Sequence, residues 1–293
     1  MSVIRHRTVP VDGTGVFVRE AGDAARPAVV LLHGFPSSSR HYTRLIDRLA
    51  EHWHVLAPDY PGFGLSDPLP ASPTFDRLAE IIAALIDALG IDRYALYLFD
   101  FGAPVGFRVA LSHDRRVAAV ITQNANAYTE GLGPGLTAVA QWWADRAAGQ
   151  AVIDELLSGD GTRGQWLAGV RNPEHVDPSQ YLADQAVLAR PGRREYMTDL
   201  LWDYQHTVAR YGEFQAWLRT RTPAVLAVWG GNDPFFIPAG AHAYRRDVPG
   251  ADVVVLDTGH FALEEEVDSV AATVNAFLTK HHNRLRARSP DQR

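Results

Sequence analysis

The chain has 293 residues, 46% of them hydrophobic, which is enough for a large core, and its net charge of -6 offers no basic field to nucleic acid. It contains no cysteine, which excludes disulfides, thiolate metal sites and a cysteine nucleophile. No apolar run follows the basic residues of positions 1–10 and no stretch reaches membrane-spanning length, so the expectation is a cytoplasmic protein without signal peptide or membrane anchor.

In chain order, residues 15–20 alternate and read as an early strand, paired antiparallel. Residues 27–33, Pro-Ala-Val-Val-Leu-Leu-His, are a continuous apolar run suited to a strand buried on both faces. Residues 39–51 carry Leu45, Ile46 and Leu49 on one side and read as a helix. Residues 53–58 make a short strand, ended by Pro58-Asp59-Tyr60-Pro61-Gly62. Thr74 is the expected N-cap of a helix reaching about Leu89, with Leu78, Ile81, Ile82, Leu85 and Ile86 as its apolar stripe and Gly90 as its stop. A strand at 94–99, a helix at 102–112 and a strand at 117–123 follow. This alternation predicts a mostly parallel sheet flanked by helices.

The alternation breaks at residue 128, and helical patterning runs to residue 221. Strands then resume at 223–229 and 251–256, with a helix from Pro238 between them and a last helix over 262–280. The expected organisation is an α/β core of residues 1–127 and 222–280 with a helical cap of residues 128–221 inserted. Residues 281–293 are polar and charged and are expected to form a flexible tail.

Three ionisable residues fall at predicted strand ends, all on one side of a parallel sheet. Asp100 follows the 94–99 strand, Asp233 follows 223–229 in Trp-Gly-Gly-Asn-Asp-Pro-Phe, and His260 follows 251–256 in Asp-Thr-Gly-His-Phe. A carboxylate at the end of a buried strand is costly without a partner or a role, and ligands of open α/β sheets sit at that end. Taken singly, each has a bland explanation. Asp100 could cap the helix behind it, Asp233 could be a turn residue before Pro234, and His260 is one of twelve histidines. Chance does not favour three strand ends in the order nucleophile, acid, histidine.

With His33-Gly34-Phe35-Pro36 after the first buried strand, these motifs make the chain resemble the α/β-hydrolase superfamily over nearly its whole length. The aspartate at the elbow narrows the resemblance to the epoxide hydrolase and haloalkane dehalogenase group. The fold implied is the α/β-hydrolase fold, with a mostly parallel central sheet, flanking helices and an inserted helical cap domain. The mechanism implied is attack by Asp100 on a saturated carbon, then hydrolysis of the ester by water activated by His260, itself oriented by Asp233. Backbone N–H groups of Phe35 and Phe101 would form the oxyanion hole. Neither a metal nor an organic cofactor is implied; the partners are a small hydrophobic substrate and water.

Leaving-group chemistry separates the readings. An epoxide oxygen needs a proton donor, and Tyr204, late in the cap, stands where the resemblance places one; Trp142, Trp143 and Tyr128 are further candidates for leaving-group donor or substrate contact. Tyr204 could equally be cap core, and the tryptophans cap packing. A halide needs N–H donors, yet Phe101 stands where dehalogenases carry tryptophan, and Phe35 where many carry asparagine. Epoxide hydrolysis is therefore the leading expectation, hydrolytic dehalogenation the alternative, and a non-catalytic binding protein on a degenerate hydrolase fold the third. Leu98, two before Asp100 where the family has a small residue, and Phe99, where relatives often have histidine, depart from the pattern, and strain at the elbow is expected from the first.

Overall fold

The computed structural model describes residues 3–286. Its framework is an eight-stranded sheet in the order β1-β2-β4-β3-β5-β6-β7-β8. The strands are β1 (Arg5–Val11), β2 (Thr14–Ala21), β3 (Ala28–Leu32), β4 (His54–Pro58), β5 (Tyr94–Phe99), β6 (Val117–Gln123), β7 (Ala224–Gly230) and β8 (Asp252–Leu256). β2 pairs antiparallel with β1 and β4, and every later pairing is parallel.

The central strands are apolar throughout because both faces are covered. Val30, Leu32, Leu96 and Leu98 point into one cluster, with α2 (Phe75–Ala88) and α3 (Gly102–Ser112). Val29, Leu31, Tyr97 and Phe99 alternate into the other, with α1 (Thr43–Leu49) and the later helix α11 (Leu263–Lys280). α2 begins as its sequence dictates, with the Thr74 hydroxyl accepting from the Arg77 N–H, and its stripe Leu78, Ile81, Ile82, Leu85 and Ile86 is buried.

Between β6 and β7 the chain leaves the sheet and forms α4 (Thr137–Ala144), α5 (Gln150–Leu156), α6 (Gly159–Leu167), α7 (Pro178–Leu188), α8 (Arg193–Ala209) and α9 (Tyr211–Arg221). α10 (Pro238–Asp247) then joins β7 to β8. Among the described residues no helix is long and apolar enough to cross a membrane.

Two expectations need correction. β1 was not foreseen: Arg-His-Arg-Thr-Val-Pro-Val is an edge strand with its first four residues exposed, so it carries no apolar alternation. The flexible tail expected from residue 281 begins instead with α12 (His282–Leu285), whose Leu285 is buried among the residues under α11. The rest of that expectation, residues 287–293, lies outside the described residues.

Leu98 is also resolved. The space that a Cβ at Gly106 would need holds the Leu98 Cδ2, so a glycine one turn into α3 makes room for the bulky residue before the elbow.

Candidate active site

β5 delivers the chain to Asp100, which turns into α3 with φ +51°, a left-handed conformation that costs a non-glycine residue about 1–3 kcal/mol. Asp100 does not cap α3: the capping position is Phe101, without a side-chain bond. Its carboxylate instead turns toward the loop after β3. The Phe35 N–H donates to Oδ1 at 2.6 Å, and the Phe101 backbone N–H lies close enough to the carboxylate to favour its charged form. Gly34 is required here, because a Cβ would run into the Asp100 side chain.

The Phe35 loop is held by His33. The Tyr60 N–H donates to His33 Nε2 at 3.1 Å, so the ring's proton is on Nδ1, which faces the Gly34 carbonyl at 3.0 Å. Burial lowers the His33 pKa to about 4, which keeps this tautomer neutral. The Phe35–Pro36 peptide is cis.

Asp233, from the loop after β7, is fully engaged. Its Oδ2 accepts from His260 Nδ1 and from Asn124 Nδ2, each at 2.7 Å, and its Oδ1 accepts from the Phe235 N–H at 2.7 Å. Asn124 stands at the end of β6 with φ +44°, a conformation asparagine tolerates, and its Oδ1 accepts from the Gly230 N–H at 2.8 Å. It thus ties the β6 end to the carboxylate loop.

His260 completes the arrangement, its Nε2 lying 3.8 Å from Asp100 Oδ2. That is too long for a direct hydrogen bond and leaves Nε2 available to water. The His260 backbone N–H donates to the Ala168 carbonyl after α6, at 3.2 Å, while Trp166 stacks on Phe261 with ring centroids 3.9 Å apart. The inserted helices therefore brace the histidine loop.

The electrostatics follow from burial. Asp100, Asp233 and His260 are all buried. Burial raises the Asp100 pKa, and the charge of His260 with the two N–H donors only partly reverses this. Burial lowers that of His260, but the charge and hydrogen bond of Asp233, with the charge of Asp100, more than offset it, so the net shift is upward.

These groups open on a cavity of about 60 Å³, several times what one water needs. Its walls are largely apolar: Phe35, Phe101, Leu136, Val139, Leu156, Leu201, Phe235 and Phe236 take part. Asp100 and His260 lie at the core side, and Trp143, Gln165 and Tyr204 come from the inserted helices.

Of the residues singled out in the sequence, Asp100, His260, Phe35, Phe101, Tyr204 and Trp143 line this one cavity, with Asp233 behind His260. Two expectations fail. Trp142 is fully buried against Trp202 and is not on the wall, because α4 turns its neighbour Trp143 inward instead. Tyr128 is also off the wall: its hydroxyl donates to Asp247 Oδ2 at 2.8 Å under α10. Three residues went unnoticed in the sequence: Asn124, Gln165, and Tyr211, whose hydroxyl lies 3.4 Å from that of Tyr204. Only the position of Asn124, directly after a predicted strand end, could have flagged it.

Residues 27–267 match the family model described as alpha/beta hydrolase fold. The chain is 42% identical over 282 residues to the Saccharomyces cerevisiae protein named uncharacterized hydrolase YNR064C, covering 94% of this chain and 97% of that one. It is 28% identical to epoxide hydrolase A of Mycobacterium tuberculosis, covering 95% and 98% of the two chains. A putative ancestral haloalkane dehalogenase, AncHLD2, has a similar fold, with TM-score 0.79 and 20% identity over 94% of this chain and 99% of that one.

Proposed function

The chain belongs to the α/β-hydrolase family, and from that premise we propose that it is an epoxide hydrolase-like enzyme converting a small, largely apolar epoxide to a diol through an ester on Asp100. The observation that carries the reading is the contrast between two cap side chains on the cavity wall. Tyr204 brings a phenol, within reach of the Asp100 charge and backed by Tyr211. The N–H of Trp143, a halide donor by type, is spent on the Leu201 carbonyl at 2.9 Å. Phe101, beside the nucleophile, has no side-chain donor. The cavity thus suits an alkoxide that must be protonated better than a halide that must be solvated.

Asp100 Oδ1, held by Phe35, is placed to become the ester carbonyl oxygen, so Oδ2 attacks. As the new C–O bond forms and the epoxide C–O bond breaks, the departing oxygen takes the Tyr204 proton. In the second step His260 Nε2 takes a proton from water, and the hydroxide adds to the Asp100 carbonyl carbon. Charge collects on Oδ1, where the Phe35 N–H meets it, with the Phe101 N–H beside the carboxylate. Collapse expels the diol oxygen, which receives the proton from His260. Asp100 leaves this step as the acid, and its proton returns to Tyr204. The carboxylate of Asp233 holds the imidazole and stabilises its charged form. No step calls for a metal or an organic cofactor.

A panel of terminal epoxides, haloalkanes and aryl esters tests the reading. Diol formation from epoxides, with little halide release, is expected. Halide release with no diol would replace it with dehalogenation, and no turnover of any class would favour a binding role.

A further inference from the structure

One polar side chain on the cavity wall has no part in the steps above. Gln165 projects from α6, and both donors of its amide are committed: Nε2 donates to the Leu156 carbonyl at 2.9 Å and to the Gly161 carbonyl at 3.2 Å. Both partners can only accept, so the amide cannot be flipped, and its orientation is fixed. Among the described residues no hydrogen bond to Oε1 is found, Oε1 is not among the fully buried atoms left without a partner, and the side chain that carries it lines the cavity. With the amide fixed, Oε1 is a rigid acceptor on a side chain of a largely apolar wall. The rest of the wall accounts for its other polar groups: Asp100 for the carbon, His260 for the water, Tyr204 for the departing oxygen.

We propose that Gln165 is a specificity residue whose Oε1 accepts a hydrogen bond from the substrate, so that the substrates are small epoxides bearing a donor, of which a hydroxyl is the smallest. This rests on the epoxide reading of the same site. A fixed acceptor in a small apolar cavity favours a substrate that fills it and penalises one that covers it with a methyl group, since the acceptor is then stranded. Its anchoring to the last residue of α5 and the first turn of α6 means that little rotamer entropy is spent when the bond forms.

The test compares 3,4-epoxybutan-1-ol with 1,2-epoxypentane, in which a methyl group replaces the hydroxyl, and with the methyl ether of the alcohol, which can only accept. For the unmodified enzyme kcat/KM is expected to be about ten-fold higher for the alcohol than for either other substrate. In Gln165→Leu, and in Gln165→Met as a second variant of similar volume, that ratio is expected to fall to near one, mainly through the alcohol. Opening of all three epoxides without preference, or a ratio that survives both substitutions, overturns this inference and leaves the epoxide reading standing. Opening of none overturns both. If neither variant folds, the preference of the unmodified enzyme across the three substrates decides.

Discussion

Leu98 fills the space that a side chain at Gly106 would require, so the residue before the elbow and the glycine in the following helix are fitted to each other. Gly106→Ala gains helix propensity but overpacks the contact, and a net loss of about 1–3 kcal/mol is expected. Leu98→Ala opens a cavity on its own. In the double variant the alanine at 106 is accommodated, so the two costs should fall short of additivity by about 1 kcal/mol or more. Urea unfolding of the four proteins measures this; strict additivity would show that the two sites are not fitted.

Tyr204 stacks against Phe101 and Trp143, with ring centroids 5.8 Å and 6.0 Å apart, so its ring is held in place, as the proposed proton donor requires. Tyr204→Phe keeps the packing and removes the proton. Single-turnover alkylation of Asp100 by an epoxide is expected to slow by about 10²-fold or more, while cleavage of a preformed ester should change little. An unchanged alkylation rate would assign Tyr204 to packing alone.

The pH profile carries the signature of burial. In the proposed mechanism Asp100 attacks only when ionised, and its pKa is raised, by burial first, against the counter-effects of His260, Phe35 and Phe101. Activity therefore rises with pH through that ionisation. The acid limb of kcat/KM is expected above the ordinary aspartate value of about 4. A profile already level at that pH would mean that Asp100 is not the attacking group or is better solvated than its surroundings imply.

A second titration bears on stability. Asp184 of α7 accepts from Trp166 Nε1 at 2.9 Å and lies 3.8 Å from the Arg40 guanidinium of the core. Burial, only partly opposed by Arg40 and the Trp166 bond, pushes its pKa up to about 7. A carboxyl whose folded pKa exceeds its unfolded one binds its proton more tightly in the native state. Its contribution is complete below about pH 4 and is lost as the pH rises through 7. Asp184→Asn removes this titration, so the Tm of the variant relative to the unmodified protein should rise by a few degrees between pH 5 and pH 8. Glu264, also raised to about 7 by burial, adds through its charge to the Asp184 shift; it is present in both proteins, so its own titration cancels to first order and the Asp184 titration dominates the difference. A constant difference across that range would contradict the assignment.

What the sequence discloses follows from which forces are local. Tyr94–Phe99, Gly102–Ser112 and Val117–Gln123 have the bounds their apolar patterns predict, because unbroken burial leaves an unbroken signal. Asp100, Asp233 and His260 are legible because topology places strand ends together without reference to side-chain detail. β1 escapes because an exposed edge strand has no apolar face to display. The inserted helices explain the remaining gaps. Whether Trp142 or Trp143 faces the cavity depends on the rotation of one short helix, and the orientation of the Gln165 amide depends on the Leu156 and Gly161 carbonyls. Tyr211 matters only because α8 and α9 meet beside Tyr204.

In the proposed mechanism Asp100 forms a covalent ester that His260 must clear. His260→Gln removes the base and leaves Asp100 with its Phe35 and Phe101 donors. This variant, incubated with a reactive terminal epoxide and analysed by intact-mass and peptide mass spectrometry, is expected to gain the full mass of one epoxide, carried on Asp100. An unmodified Asp100, with an epoxide that the native enzyme converts to diol, would contradict the account.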